Sequence, residues 1–381
     1  MIAGALVAFA LGVLAIHLAT IGLVLWRRFR APRPQNLPDP APHITLLRPV
    51  CGLTDIERAT LTSSFGLDYP DYEIIFCAAR ASDPAVPFLT ALIAAHPEVQ
   101  AQLLIGETPI SQNPKLNNMQ KGVEAAQGDW IAMVDSNLLL PVDYLQNLLG
   151  SWQGGTGLVS APPIGTEAQN LWGAVECAFL NACQARWQIA ADTVGFGFAQ
   201  GKTMLWRRDT LEAAGGLPAL GRFMAEDATA TKLVRAQGLR VDLPETLFTQ
   251  PVGGRSFRQI WERQLRWSKV RRDAFFWLFV AEVAQGPVLP LLACLIAVSV
   301  AHLSLWIALG YLLVWYGAEW IMSRLMGWPA SARDLASSLL RDALLPGIWA
   351  ATWITRDFVW HGTEMKPVTA PQPRQAPVSE N

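Results

Sequence analysis

Trp130-Ile131-Ala132-Met133-Val134-Asp135-Ser136-Asn137 is a run of five apolar residues that ends directly on a carboxylate. A short apolar run with a polar stop reads as a buried strand, and its last position lies where open α/β sheets bind their ligands. Three runs upstream, at 43–49, 72–78 and 101–105, have the same character, and helical patterns separate them at 54–65, 85–95 and 115–127. Such alternation predicts an α/β fold with a mostly parallel sheet covered on both faces. Pro49, Cys51, Asp83 and Asp135 then fall at the ligand-binding edge.

Further on, Ala225-Glu226-Asp227-Ala228 opens a helical pattern over 225–237, and Arg263-Gln264-Leu265-Arg266-Trp267 lies in a basic helical pattern over 255–272. Two readings of the acidic pair stand side by side. Either carboxylates favour the positive end of a helix, or one of them takes a proton from an attacking hydroxyl while the basic helix holds a diphosphate leaving group. Asp83 and Asp135 at strand ends favour the second, which is glycosyl transfer. In the segment 160–201 a helical centre over 171–190 carries Trp172, Val175, Phe179, Leu180 and Trp187. It reads as a helix packed on the sheet or as a surface for an acceptor lipid.

Composition narrows the function. The 381 residues are 51% hydrophobic and 16% charged, with 16 Trp and a formal charge of -1, and the mean hydropathy is +0.24. This chain is expected to meet a membrane. No global basic field, zinc-finger spacing or Lys/Arg tract points to nucleic acid. The absence of GxGxxG and of GxxxxGK removes support for a dinucleotide dehydrogenase or a P-loop NTPase. Five scattered cysteines without a CxxC pair read as reduced, and five histidines without HxH or HxxxH spacing argue against a His-ligated metal.

Residues 2–26 form an apolar run which, at about 1.5 Å per residue, can cross a hydrocarbon core of about 30 Å. No Lys or Arg precedes it, whereas Arg27, Arg28, Arg30 and Arg33 follow. By the positive-inside tendency the amino terminus lies outside and the next segment is cytosolic. The basic pattern 255–272 places Phe257, Ile260, Trp261 and Leu265 on one side and suits the headgroup zone. Residues 274–322 offer two spans with a turn near His302, and 343–360, broken by Pro346 and Arg356, either spans or re-enters. The expected division is an anchor and Pro-rich linker at 1–42, a cytosolic catalytic domain at 43–272, membrane helices at 273–360 and a tail at 361–381, disordered over 366–381.

Cys51-Gly52, Asp68-Tyr69-Pro70, Ser82-Asp83-Pro84, Asn113-Pro114-Lys115-Leu116-Asn117-Asn118, Asp135-Ser136-Asn137, Ala225-Glu226-Asp227 and Arg263-x-x-Arg266-Trp267 follow one another in this order. The series resembles the ceramide glucosyltransferase family of membrane-bound glycosyltransferases with a GT-A, Rossmann-like nucleotide-sugar fold, over about residues 2–360. The hopanoid-biosynthesis glycosyltransferases of bacteria share these motifs. The resemblance implies that Asp83 contacts the uridine of a UDP-sugar donor, Asp135 holds a divalent cation, Mg²⁺ or Mn²⁺, on the diphosphate, and Asp227 is the general base. It implies that Arg263, Arg266 and Trp267 form the (Q/R)xxRW element near diphosphate and acceptor, with Lys115 and Asn118 lining the nucleotide pocket. Asp135-Ser136-Asn137 departs from the DxD of many GT-A enzymes and leaves one local carboxylate, with Asn137 offering a carbonyl oxygen.

The expected reaction is inverting transfer of a hexose, from UDP-glucose, to the hydroxyl of a lipid in the bilayer, ceramide. The alternatives are transfer to bacteriohopanetetrol from UDP-GlcNAc or a similar donor, and a non-catalytic membrane scaffold. A polymer-forming synthase would need more spans for a translocation pore than the four candidates here.

Overall fold

The computed structural model describes residues 2–32, 37–354, 358–360 and 363–365. Arg33, Arg356 and the tail at 366–381 lie outside the described residues. Nine strands form the frame: β1 (Ile44–Val50), β2 (Tyr72–Ala78), β3 (Gln100–Ile105), β4 (Trp130–Val134), β5 (Thr156–Ser160), β6 (Pro163–Ala168), β7 (Thr203–Arg207), β8 (Arg240–Asp242) and β9 (Phe248–Gly253). Seven of them make one sheet in the order β3-β2-β1-β4-β7-β5-β8. β1, β2, β3 and β4 are mutually parallel, β7 runs antiparallel to its neighbours β4 and β5, and β5 pairs parallel with β8. β6 and β9 pair separately.

β1, β2 and β4 are buried on both faces, which is why they read as largely apolar runs, whereas the edge strand β3 is only partly covered. Ile44, Leu46, Ile74 and Phe76 pack on one side with Tyr144 and Phe248. Leu47, Ile75 and Met133 pack on the other with Met119, Trp206 and Val234. Helix Pro114–Ala125 lies so close to this second face that a Cβ on Gly122 would stand 2.3 Å from Leu47 and 2.7 Å from the Cys77 sulfur. That helix starts on an Asn113 cap, whose side chain accepts from the Lys115 amide, with Pro114 in the first turn.

Two charged side chains, Arg48 and Glu73, are buried within these strands. Arg48 is fully buried in β1 and donates to the carbonyls of Thr60 (2.6 Å), Asp135 (2.9 Å), Ser136 (3.1 Å) and Leu138 (2.9 Å) and to the Ser64 hydroxyl (2.7 Å). Its guanidinium therefore ties the loop after β4 to the helix Asp55–Thr62 and its continuation.

Residues 171–193 are helical throughout, with a π turn at Phe179–Ala185 between α-helices Leu171–Ala178 and Arg186–Thr193. The segment covers the β6/β9 pair rather than the central sheet. Asn181 in the π turn donates to the Gly165 carbonyl at 3.0 Å and accepts from its amide at 2.7 Å.

Helix Ile2–Phe29 is long and apolar enough to cross a bilayer, and among the described residues it is the one helix that meets this test of length and composition. Its far end is docked, not freely linked. Arg27 is buried, pairs with Asp192, and donates to the carbonyls of Leu243 (3.0 Å) and Pro244 (3.1 Å), while Arg30 pairs with Glu245 at 2.7 Å. Helices Val288–Val300 and Trp306–Met326, with a turn at His302 between them, pack against its other half through Ala10, Ala293, Tyr311 and Trp315. Val288–Val300 has 13 residues, about 20 Å at 1.5 Å each.

Two local expectations change. Helix Phe257–Ala274 does not present Ile260 outward: Ile260, Gln264, Ser268 and Arg272 are buried, and Ile260 packs with Val175, Phe179, Leu345 and Ile348. The short helix that follows, Phe276–Glu282, carries the exposed apolar side chains Trp277 and Leu278 instead. The break foreseen at Pro346 is absent, because one helix runs Ala332–Ile354 through it. Proline there lacks the N–H for the carbonyl four residues back, and packing carries the helix across: Trp261 lies beside Gly347, and Thr352 bonds Ser268 at 2.9 Å.

Candidate active site

The carboxyl ends of β1, β2 and β4 and the start of the reversed strand β7 meet at one edge of the sheet. Asp135 leaves β4 there, its amide bonded to the Lys202 carbonyl just before β7. Its two carboxylate oxygens are each held by an ammonium group, Oδ1 by Lys115 and Oδ2 by Lys202, both at 2.8 Å. Lys202 also donates to the Asn137 side-chain oxygen at 3.0 Å. Lys115 continues to Glu226 Oε1 at 3.0 Å and to the Gly201 carbonyl at 2.6 Å. Three oxygens thus converge on the Lys115 ammonium and two on that of Lys202.

These contacts fix the charge states. Burial raises the cost of the Asp135 charge, but Lys115 and Lys202 overcome it and hold the carboxyl well below its usual range. Burial likewise works against the Lys115 charge, yet Asp135 and Glu226 keep it protonated well above neutrality. For Lys202 burial wins and pulls the ammonium down from its ordinary value, with Arg263 adding to that effect.

Helix Glu226–Ala236 begins with the acidic pair, and its two members have different work. Glu226 is consumed by Lys115 and by the Asn113 amide at 3.0 Å. Among the described residues Asp227 accepts only backbone N–H groups, from Gly201 at 3.2 Å and from Ala228 at 2.7 Å. Burial, with the neighbouring Glu226 charge adding, pushes its carboxyl up from 3.8 to about 6. A Cβ at Gly201 would lie 2.8 Å from Glu226 Oε1, so a larger residue there would push the end of that side chain aside.

The remaining residues flank this array. Asp83 accepts from the amides of Gly52, at 3.0 and 3.2 Å, and of Ala85, at 2.8 Å, so it joins the loops after β1 and β2. Asn118 is buried, donates to the Cys77 carbonyl at 2.7 Å and accepts from Lys121 at 2.7 Å. Its NH₂ end thus ties the helix to the end of β2, and its oxygen is held by Lys121 of the same helix. Arg263 lies against the ring of Trp267 at 4.5 Å and beside Glu176, 3.0 Å away. Burial, then the neighbouring Arg263, lowers the Arg266 guanidinium from its ordinary value.

Lys202, Arg48, Glu176 and Gly201 were not among the sequence candidates. The Gly-rich turn at 195–201 is the one local signal for Gly201-Lys202, and nothing local marks the other two. Asp135 and Asn137 are oxygen donors of the kind Mg²⁺ and Mn²⁺ prefer. Among the described residues no three His, Cys, Asp or Glu side chains are grouped to hold an ion, so most of such an ion's shell would come from Asn137, substrate and water.

An open sheet of this order with charged side chains at its strand ends is the architecture of the GT-A glycosyltransferases. The mannosyltransferase PcManGT from Pyrobaculum calidifontis, solved with GDP-Man and Mn²⁺, shares the fold: TM-score 0.53 at 18% identity, over 89% of this chain and 99% of that one. The chain itself belongs to glycosyl transferase family 21, whose family model matches residues 4–370. Among curated relatives, Ceramide glucosyltransferase 1 of Caenorhabditis elegans is 25% identical over 251 residues, 65% of this chain and 54% of the relative. The Ceramide glucosyltransferase of Komagataella phaffii is 27% identical over 306 residues, 65% of this chain and 60% of the relative. The match thus spans somewhat over half the length of these relatives.

Proposed function

We propose that this chain is an inverting glycosyltransferase that moves a hexose from a nucleotide sugar, UDP-glucose, to the hydroxyl of a membrane lipid, ceramide. The observation that carries the reading is the Asp227 carboxyl, raised to about 6 and free of side-chain partners among the described contacts, beside the Lys115–Asp135–Lys202 array. The relatives' ceramide glucosyltransferase names support the lipid and the sugar.

In this reaction the lipid oxygen bonds to C1 of the sugar from the face opposite the leaving group, and its proton passes to Asp227. The bond from C1 to the β-phosphate oxygen breaks, and the diphosphate leaves with the electron pair. Lys202, Arg263 and Arg266 bind and neutralise it. Glu226, held by Lys115 and Asn113, keeps Asp227 next to a fixed negative charge. Asp83 and the loops it joins form the floor for the nucleoside.

Asp135 with the Asn137 carbonyl oxygen would hold a divalent cation, which when bound supplies further neutralisation of the diphosphate. The two ammonium groups now on Asp135 compete with it for the same oxygens. Turnover is therefore expected to fall at least tenfold in EDTA and to return with Mn²⁺ or Mg²⁺. Full activity in chelator would leave the lysines and arginines as the only neutralising groups.

The base must be ionised to work. For free enzyme, kcat/KM should lose a factor of ten per pH unit below an apparent pKa near the 6 of Asp227. A profile flat down to pH 5 would remove Asp227 from the role.

Helix Ile2–Phe29 and the pair Val288–Val300 and Trp306–Met326 belong in the bilayer on this reading, with residues 43–272 on the cytosolic face. Labelled UDP-sugars offered to the purified protein with ceramide, diacylglycerol or bacteriohopanetetrol in nanodiscs test the whole proposal. Glucosylceramide is the expected product, and no transfer to any of the three overturns it.

A further inference from the structure

Glu176 lies on helix Leu171–Ala178 and is 0% exposed. Neither of its carboxylate oxygens takes part in a hydrogen bond. A buried charge without partners is costly, so one that persists is held by a cation nearby. That cation is Arg263, whose Nε stands 3.0 Å from Glu176 Oε1 in ionic contact, with the N–H not aligned on the oxygen. The Arg263 guanidinium also lies over the Trp267 ring at 4.5 Å. Arg263 thus touches both a carboxylate and an indole. Its charge reaches Lys202, and Arg255 and Arg266 feel both Arg263 and Glu176.

Arg255, Arg266 and Lys202 each repel Arg263, and a long side chain under such repulsion spreads into solvent unless something holds it. Glu176 is placed to hold it from helix Leu171–Ala178. Leu180, one turn on in the same helical segment, packs with Val252 and Trp267.

We propose that Glu176 is a positioning residue, whose buried carboxylate holds Arg263 against Trp267 so that the guanidinium meets the donor diphosphate in one orientation. The inference rests on the glycosyl-transfer reading above. It differs from a mere counter-charge role in sign. A counter-charge weakens anion binding, so its removal tightens UDP; a positioning group strengthens binding and turnover, so its removal weakens both.

The experiment compares wild type, Glu176→Leu, Glu176→Asp and Glu176→Gln, with Arg263→Lys alone and combined with Glu176→Leu. UDP affinity, donor kcat/KM and thermal melting are read on the full-length protein. Misplacing a reacting group by about 1 Å can cost roughly 100-fold, so Glu176→Leu is expected to lower donor kcat/KM by about 10- to 100-fold. Glu176→Asp, which keeps the charge but withdraws it by a methylene, and Glu176→Gln, which keeps the length but removes the charge, are each expected to lose about tenfold. Arg263→Lys keeps the charge without the planar guanidinium that lies over Trp267 and should match Glu176→Leu, with no further loss in the double variant. Tighter UDP binding in Glu176→Gln and Glu176→Leu, or wild-type kinetics in Glu176→Asp, overturns the proposal. Should Glu176→Leu not fold, Glu176→Asp decides on the same criterion. Failure of the wild type to bind UDP or transfer sugar is a separate result, which removes the underlying reading and this inference with it.

Discussion

Asp227→Asn should lower turnover by about 10² to 10⁴ while UDP still binds, because the amide keeps the size of the side chain but cannot take the acceptor's proton. The same substitution should make the protein more stable at neutral pH. The folded carboxyl titrates near 6 against an ordinary value of 3.8, so between those values the folded state binds more protons than the unfolded one. Stability contributed by this group is therefore lost as pH rises from about 4 to 6 and stays lost above. Asparagine removes that penalty. The melting temperature of Asp227→Asn should exceed wild type at pH 7.5, and the difference should close near pH 4. A variant that turns over normally would pass the role to Glu226. A carboxylate kept at a cost to the fold is what a general base looks like, whereas a helix-start charge would stabilise the helix by about 0.3 to 1 kcal/mol.

Arg48→Met should destabilise the protein by several kcal/mol and abolish donor binding in whatever still folds. Methionine fills the volume, but the carbonyls of Thr60, Asp135, Ser136 and Leu138 lose their donor inside the molecule. At about 1 to 3 kcal/mol for each orphaned buried group, even partial rearrangement leaves a loss near 3 to 5 kcal/mol. Arg48→Lys should rescue little, since one ammonium cannot serve five acceptors spread over a planar fork. Melting and UDP titration check both. A Met variant with the wild-type midpoint would mean that water replaces the guanidinium.

The first half of the sheet was legible because β1, β2 and β4 are buried on both faces and therefore largely apolar, and the partly covered β3 keeps an apolar stretch at 103–105. Asp135 was legible for the same reason: it is the first polar residue after such a run. The second half was not, since β5, β7 and β8 come in an order unlike the chain order and β8 has three residues. Lys202 and Glu176 escaped because their partners, Asp135 and Arg263, are 67 and 87 positions away, distances over which no periodicity operates. Asn118 belongs to the right motif but spends its amide on strand-end carbonyls, a distinction only packing reveals. The Ile260 face of Phe257–Ala274 has an amphipathic pattern that fits a protein partner as well as a bilayer, and the helices Leu171–Ala178 and Ala332–Ile354 supply the partner.

Arg27 gives the anchor a mechanical meaning. A helix joined by a loose linker would be a leash, letting the sugar-transfer chemistry sample a range of heights and tilts above the lipids. With Arg27 bolted to Asp192 and to the carbonyls of Leu243 and Pro244, and Arg30 to Glu245, the helix is a bracket. On the proposed membrane reading, the depth at which Asp227 waits is then set by the length of one rigid part. Lipids would be sorted by a ruler before any pocket touched them: a hydroxyl at that depth is within reach, and one carried outward on a larger headgroup has already passed it.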